Sequence, residues 1–136
     1  MFEIVSSGGK PFVSMIAATG GVYKGQIVKI SSNECTPIAG GHTGETIVGL
    51  CMADTVAGAL APIADIRGEV LRVPLRTGTT KTTLVAADYG KLYDVYVATN
   101  EMTLDLDDTT GGIFYPVHEA PAGYADVMVA SALILF

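Results

Sequence analysis

This sequence of 136 residues is short of charge, of aromatic side chains and of cysteine. Charged residues make up 16% of the chain, against about 25% in an average soluble domain, while the apolar fraction stays near half, at 49%. Tryptophan is missing, and aromatic residues reach only 7%. A chain with so few charges either hides surface against neighbours or exposes unusual amounts of apolar surface. We therefore expect it to dock on a partner or to self-associate.

Other absences exclude whole classes of function. The net charge is −6 and the eight lysines and arginines are scattered singly, so no basic stripe could neutralise a run of phosphates. This predicts no nucleic-acid binding. No apolar run approaches the roughly 20 residues that span a bilayer, which predicts no membrane span. Glu3 stands where a secretion signal carries positive charge, so we also expect no such signal.

Catalytic motifs are not recognisable in the sequence. The two cysteines, Cys35 and Cys51, form no C-x-x-C and have no histidine partner at a metal-like spacing. No serine occupies a G-x-S-x-G turn, and the two histidines, His42 and His118, lie far apart in the chain. The sequence therefore predicts no enzyme and no catalytic, cofactor-binding or metal-binding residue. A hydrolase that uses His42 or His118 with a nearby carboxylate is the alternative from this class.

Three carboxylates, those of Asp105, Asp107 and Asp108, are concentrated near a turn, and calcium prefers such oxygen ligands. The EF-hand pattern is not met, because its sixth position is Thr110 rather than glycine and its twelfth is Pro116 rather than glutamate. An acidic turn is the favoured interpretation, and weak calcium binding remains as an alternative.

The remaining pattern is that of short β-strands separated by turns, which predicts an all-β fold, a single compact β-barrel or β-sandwich. Helix is scarce, and at most two short helices are expected, over residues 53–61 and 84–89. Residues 32–33, 99–100 and 107–112 carry turn-forming side chains and predict three hairpins. The β-rich runs cover residues 22–30, 34–38, 45–53, 63–75, 92–98, 102–106, 113–118 and 124–136.

Residues 1–21 differ from the rest, since glycine, serine, alanine and threonine dominate them. We expect either an extended N-terminal arm or a first edge strand here, followed by the β-domain over residues 22–136. Within that domain, Pro74 interrupts a strand pattern, and because proline cannot donate to the ladder it predicts an edge or a bulge.

The order of these features resembles the small phage capsid decoration proteins, also called cement or head-stabilising proteins. The segments that carry the resemblance are GGVYKGQIV at 20–28, TIVGLC at 46–51, GEVLRVPL at 68–75, ADYGKLYDV at 87–95 and GIFYPV at 112–117. The resemblance itself, in the order of strands and turns over residues 22–136, covers most of the chain.

The resemblance implies a structural virion protein, made in the host cytoplasm, which binds the outer capsid surface and bridges neighbouring major capsid subunits, often as a homotrimer. An N-terminal arm that contacts the capsid or a neighbouring subunit would fit it. From their apolar character in a glycine-flanked segment we expect the contact residues to be Phe2, Ile4, Val5, Phe12, Val13, Met15 and Ile16. The alternative is a non-catalytic module of a phage tail or surface that binds a receptor or a glycan, for which exposed aromatic side chains would be the discriminating feature.

Overall fold

The structure is a computed structural model, and it describes residues 1–6, 12–39, 47–98, 100–110 and 112–130. Nearly all regular structure there is β, as the sequence predicts. The strands are β1 (Glu3–Ser6), β2 (Val13–Ile16), β3 (Ile27–Ser31), β4 (Glu34–Pro37), β5 (Ile47–Cys51), β6 (Leu60–Ala64), β7 (Val70–Pro74), β8 (Asp94–Ala98), β9 (Glu101–Asp105), β10 (Phe114–His118) and β11 (Tyr124–Val129).

Helix is limited, within these residues, to one 3₁₀ turn at Ala86–Asp88. It lies inside the helix predicted over residues 84–89. The helix predicted over residues 53–61 does not form, because Gly58 adopts a left-handed φ of 83° in a turn and the segment then enters β6.

One sheet has the order β2-β6-β5-β3-β4, and its two outermost strands meet. Just after β2, Ala17 forms a parallel bridge with Cys35 of β4, and the Ala18 amide donates to the Cys35 carbonyl at 3.0 Å. The sheet thus curls into a small barrel. Small and β-branched side chains suit its narrow interior, and the buried ones are Ala17, Val22, Val28, Cys35, Cys51, Ala61 and Ile63.

A second sheet, of order β1-β7-β11-β10, packs against the barrel, and the two-stranded hairpin β8–β9 completes the layer. The main core lies outside the barrel, against these strands. Phe2 and Phe114 meet edge to face in it, with ring centroids 5.5 Å apart. Its other buried members include Ile27, Leu50, Ala64, Ile66, Leu71, Val73, Tyr93, Leu104 and Val127.

The turns agree with the sequence in part. Ser32 and Asn33 join β3 to β4 with left-handed φ values of 51° and 63°, as a two-residue hairpin requires. Ala98 pairs with Glu101, so residues 99–100 also form a hairpin loop, although residue 99 lies outside the described residues. The third predicted hairpin, at 107–112, is wrong, because β9 pairs with β8 while β10 pairs with β11.

Buried and partly exposed side chains alternate most clearly along β7. Leu71, Val73 and Leu75 are buried while the residues between them are partly exposed. In β9, however, Asp105 is only 6% exposed, so the alternation of buried and exposed side chains does not extend to it. Pro74 is the last residue of β7 and lies past the part of β7 that pairs with β1. Because β1 does not reach it, the missing proline amide costs no hydrogen bond to β1.

Candidate docking surface

Strand β2 is an outermost strand of the five-stranded sheet and carries no charged residue. One side pairs with β6, from Val13 opposite Ile63 to Ile16 opposite Leu60. On the other side no described strand forms a ladder with it, but β4 lies beside it where the barrel closes, since the Cys35 thiol approaches the Met15 carbonyl at 3.9 Å and Ala17 bridges to Cys35. Natural edge strands are usually protected by charge, proline or a bulge, and the sequence Val-Ser-Met-Ile of β2 contains no charged residue or proline. Strand β2 is therefore an uncharged strand at the seam of the barrel.

The outward side chains beside this edge are apolar. Ile16 and its cross-strand partner Leu60 are 45% and 65% exposed, and Phe12, four residues before Ile16, is 54% exposed. By the alternation of side chains, Leu60 stands on the same face as Ala64 of the same strand, which is buried in the main core. The apolar face of β6 therefore continues from the core out into solvent.

A neighbouring turn adds a fourth apolar side chain. Val56 is 76% exposed, and the turn that contains it is fixed to the end of β2 by the Gly58 amide, which donates to the Ala17 carbonyl at 2.9 Å. We call Phe12, Ile16, Val56 and Leu60 the β2 surface. No charged residue occurs over 12–23 or 55–64, so the segments that build this surface are uncharged. Contiguous exposed apolar side chains of this kind mark interaction sites.

The seven residues expected from sequence to make contacts fall into different environments. Phe2 is 1% exposed and packs on Phe114, so it belongs to the core rather than to the surface. Ile4 and Met15 are partly buried and pack against the main core and the barrel interior. The exposed members are Val5 on β1, and Phe12, Val13 and Ile16 on or beside β2.

The first strand is held to the barrel by its backbone. The Phe2 amide donates to the Gly25 carbonyl at 3.2 Å, and β1 pairs along β7 at the outer edge of the second sheet. Residues 7–11, which connect β1 to β2, lie outside the described residues. The described parts of residues 1–21 thus form edge strands of two different sheets.

Of the two candidate catalytic histidines, the structure describes one. His118 and Glu119 are exposed neighbours at the end of β10, whereas His42 lies outside the described residues. Burial raises the pKa of the Cys35 and Cys51 thiols, which opposes thiolate formation and hence nucleophilic reactivity. Both cysteines are free and face the closed barrel interior.

The carboxylates considered for calcium are engaged by protein donors instead. Asp105 forms an ion pair with Arg76 at 2.7 Å, and Asp107 accepts from the backbone amides of Thr80 and Lys81 at 2.7 and 3.0 Å. Asp108 accepts from the amide of Thr110 two residues later. Within the described ranges, no three His, Cys, Asp or Glu side chains gather closely enough to hold a metal ion.

One buried carboxylate escaped the sequence analysis. Asp88 is 0% exposed and accepts hydrogen bonds from the Val85 amide at 2.7 Å, from the Tyr93 hydroxyl at 2.8 Å and from the Lys81 ammonium. Burial opposes its ionisation, but these donors outweigh burial and lower its pKa to about 2. Burial, together with the bond to Asp88, raises the pKa of Tyr93 to about 12. Asp88 and Tyr93 are buried while Lys81 is partly exposed, and the hydrogen bonds of this cluster hold the loop in place.

Basic side chains elsewhere are also engaged. Arg67 and Arg72 pair with Asp65 and Asp126, and the Arg76 guanidinium lies 3.5 Å from the centre of the Tyr96 ring. In the part of the chain that is described, no helix has the length and apolar character needed to cross a bilayer. No protein-family model matches the chain, and no curated protein matches it in sequence. The family resemblance therefore stays a prediction.

Proposed function

We propose that this chain is a structural protein of a phage virion that binds the outer surface of the capsid and stabilises the shell by bridging neighbouring major capsid subunits. The observation that carries the proposal is the β2 surface, four exposed apolar side chains on segments that contain no charged residue. The capsid as partner rests on the resemblance of the sequence to decoration proteins.

The β2 surface suits binding through many weak contacts. A fully buried Val, Leu, Ile or Phe side chain gains about 1.5–3 kcal/mol, so side chains that are already half buried gain roughly 1 kcal/mol each on docking. Modest contacts repeated over a lattice of identical sites give firm attachment, because each further contact forms at high effective concentration.

The buried thiols and the buried carboxylate outside the β2 surface support a structural role rather than a catalytic one. The two thiols and Asp88 are sealed in the interior, and the most perturbed pKa values serve a structural cluster. Arg67, Arg72, Arg76 and Lys81 each pair with an aspartate, which partly neutralises these four positive charges.

The test is co-sedimentation with capsids assembled from the major capsid protein of the same genome. We expect Leu60→Lys to weaken capsid binding roughly tenfold or more, because docking would then bury an ammonium group in place of an isobutyl group. Leu92→Lys is the matched control, since Leu92 is 41% exposed in a loop away from β2, and it should bind like the wild type.

Two outcomes would count against the proposal. If the wild type fails to sediment with the capsids, the partner is wrong. If Leu60→Lys binds as tightly as Leu92→Lys while both keep the wild-type circular dichroism spectrum, the β2 surface is not the contact.

A further inference from the structure

A groove separates the loop at residues 82–89 from the segment at residues 117–124. It has a volume of about 700 Å³, and Leu75, which is 7% exposed, forms part of its base. Sites for small ligands usually measure roughly 300–1,000 Å³ and combine apolar walls with a few polar groups. We call this the loop groove. None of its lining residues belongs to the β2 surface, so it is independent of the proposed docking function.

Both walls of the loop groove are held by internal hydrogen bonds. On one side, Asp88 accepts from the Val85 amide, which fixes the loop through the buried cluster. On the other side, the Tyr124 amide donates to the Pro121 carbonyl at 3.0 Å and the Leu75 amide donates to the Gly123 carbonyl at 2.9 Å. A groove that is already shaped requires less ordering when a ligand binds.

The charges in the loop groove disfavour an anionic ligand. Its lining contains neither lysine nor arginine, and it includes the carboxylate of Glu119 beside the imidazole of His118. The nearest lysine in sequence, Lys81, is paired with the buried Asp88. Phosphate and carboxylate ligands are commonly held by lysine or arginine side chains, and this lining offers neither.

Two tyrosines and two threonines also line the loop groove, among aliphatic side chains such as Leu84 and Val117. Tyr89 and Tyr124 contribute rings, with Tyr124 43% exposed, and Thr82 and Thr83 contribute hydroxyls. Tyrosine rings offer flat apolar faces with a polar tip, while hydroxyls and a carboxylate exchange hydrogen bonds in several directions. A sugar ring has the complementary character, with an apolar C–H face and a rim of hydroxyls. From this match we propose that the loop groove binds a neutral saccharide.

In this arrangement Tyr124 provides the stacking face and Glu119 accepts hydrogen bonds from sugar hydroxyls. The test is binding of the full chain to an array of neutral oligosaccharides, with sialylated and sulfated oligosaccharides on the same array. The strongest neutral binder is then titrated by isothermal calorimetry. We expect neutral sugars to bind in preference to the acidic ones, because Glu119 repels anions.

Tyr124→Ala should weaken that binding roughly tenfold, because it removes one stacking contact and the apolar area that this contact buries. Glu119→Gln, which keeps the shape and removes the charge, should weaken it several-fold. Tyr23→Ala is the matched control, because Tyr23 is 37% exposed in a different turn, and it should bind like the wild type.

The proposal is overturned if no neutral saccharide binds, if acidic sugars bind better, or if Tyr124→Ala and Tyr23→Ala bind equally well. Its failure is distinguishable from failure of the docking proposal. Leu60→Lys should keep the saccharide affinity, and Tyr124→Ala should keep the capsid affinity, because the two surfaces share no residue.

Discussion

Asp88 organises the loop between β7 and β8. Its carboxylate is buried at one end of the 3₁₀ turn, where it accepts bonds from Val85, Lys81 and Tyr93. These partners come from both sides of Asp88 in the sequence, three to seven positions away. A buried ionised group is tolerated only when donors surround it, so the loop conformation depends on all of these bonds.

The pH dependence of folding should report on this carboxylate. The folded pKa of Asp88 is about 2, against 3.8 when unperturbed, so the ionised cluster stabilises the fold fully above about pH 4 and the contribution is lost as pH falls toward 2. This difference corresponds to about 2 kcal/mol in the free energy of unfolding. Between about pH 5 and pH 2, the wild type should therefore lose about 2 kcal/mol more than Asp88→Asn in urea unfolding.

The control for this measurement is Glu101→Gln, which changes an exposed carboxylate on the β8–β9 hairpin. Its unfolding free energy should follow the wild-type pH dependence. Equal acid slopes for the wild type and Asp88→Asn would show that Asp88 is not held ionised by its neighbours in the folded protein.

At the scale of elements, the barrel depends on a close approach between β5 and β6. Gly49 lies in β5, and a Cβ added there would come 2.1 Å from the Ala64 carbonyl oxygen. That oxygen belongs to the backbone of a paired strand, so it cannot move aside without disturbing the ladder. Position 49 requires glycine because a side chain would clash there, and not because of its φ angle.

We expect Gly49→Ala to lower the free energy of unfolding by about 3 kcal/mol or more. Gly58→Ala is the comparison, because Gly58 has a φ of 83° but nothing within 4 Å of an added Cβ. It should cost about 1 kcal/mol, from backbone conformation alone. Denaturant unfolding of both variants measures the difference, and equal losses would contradict the close contact between β5 and β6.

The edge strands show how little of the candidate surface could be found from sequence. The apolar character of Phe12, Val13 and Ile16 is visible in the sequence, and the structure shows that these residues are exposed. Leu60 and Val56 were not found, because the predicted helix over residues 53–61 concealed the start of β6. Phe2 looked like its surface neighbours, but it is in the core. The exposed and the buried residues of this set can be told apart only from the pairing of β1 with β7 and of β2 with β6.

At the scale of the whole molecule, the first 21 residues cannot be treated as a removable arm. Phe2 fills the main core, and Met15 and Ala17 pack in the barrel. A deletion would remove an edge strand from the two larger sheets and open both hydrophobic cores. Point substitutions on the β2 surface therefore test docking, whereas truncation tests folding.

The oligomeric state is the prediction that belongs to this scale. If the β2 surface also joins copies of the chain, as the homotrimer of the decoration proteins implies, the free protein should show a trimer mass in light scattering. Because the contact is apolar, Leu60→Lys should shift the mass toward the monomer, and Leu92→Lys should not. A monomer for all three proteins would assign the β2 surface to another partner.

The sequence by itself determined the all-β class, the position of most strands and the buried faces of β7 and much of β9, because alternation and turn chemistry are local properties of the chain. It also determined the low content of charged residues. The tertiary structure alone decided that β9 and β10 belong to different sheets, that Ala17 closes the barrel on Cys35, and that Asp88 is buried among donors. Each of these depends on which strands meet, and such pairings are fixed by the packing of the whole chain rather than by any local pattern.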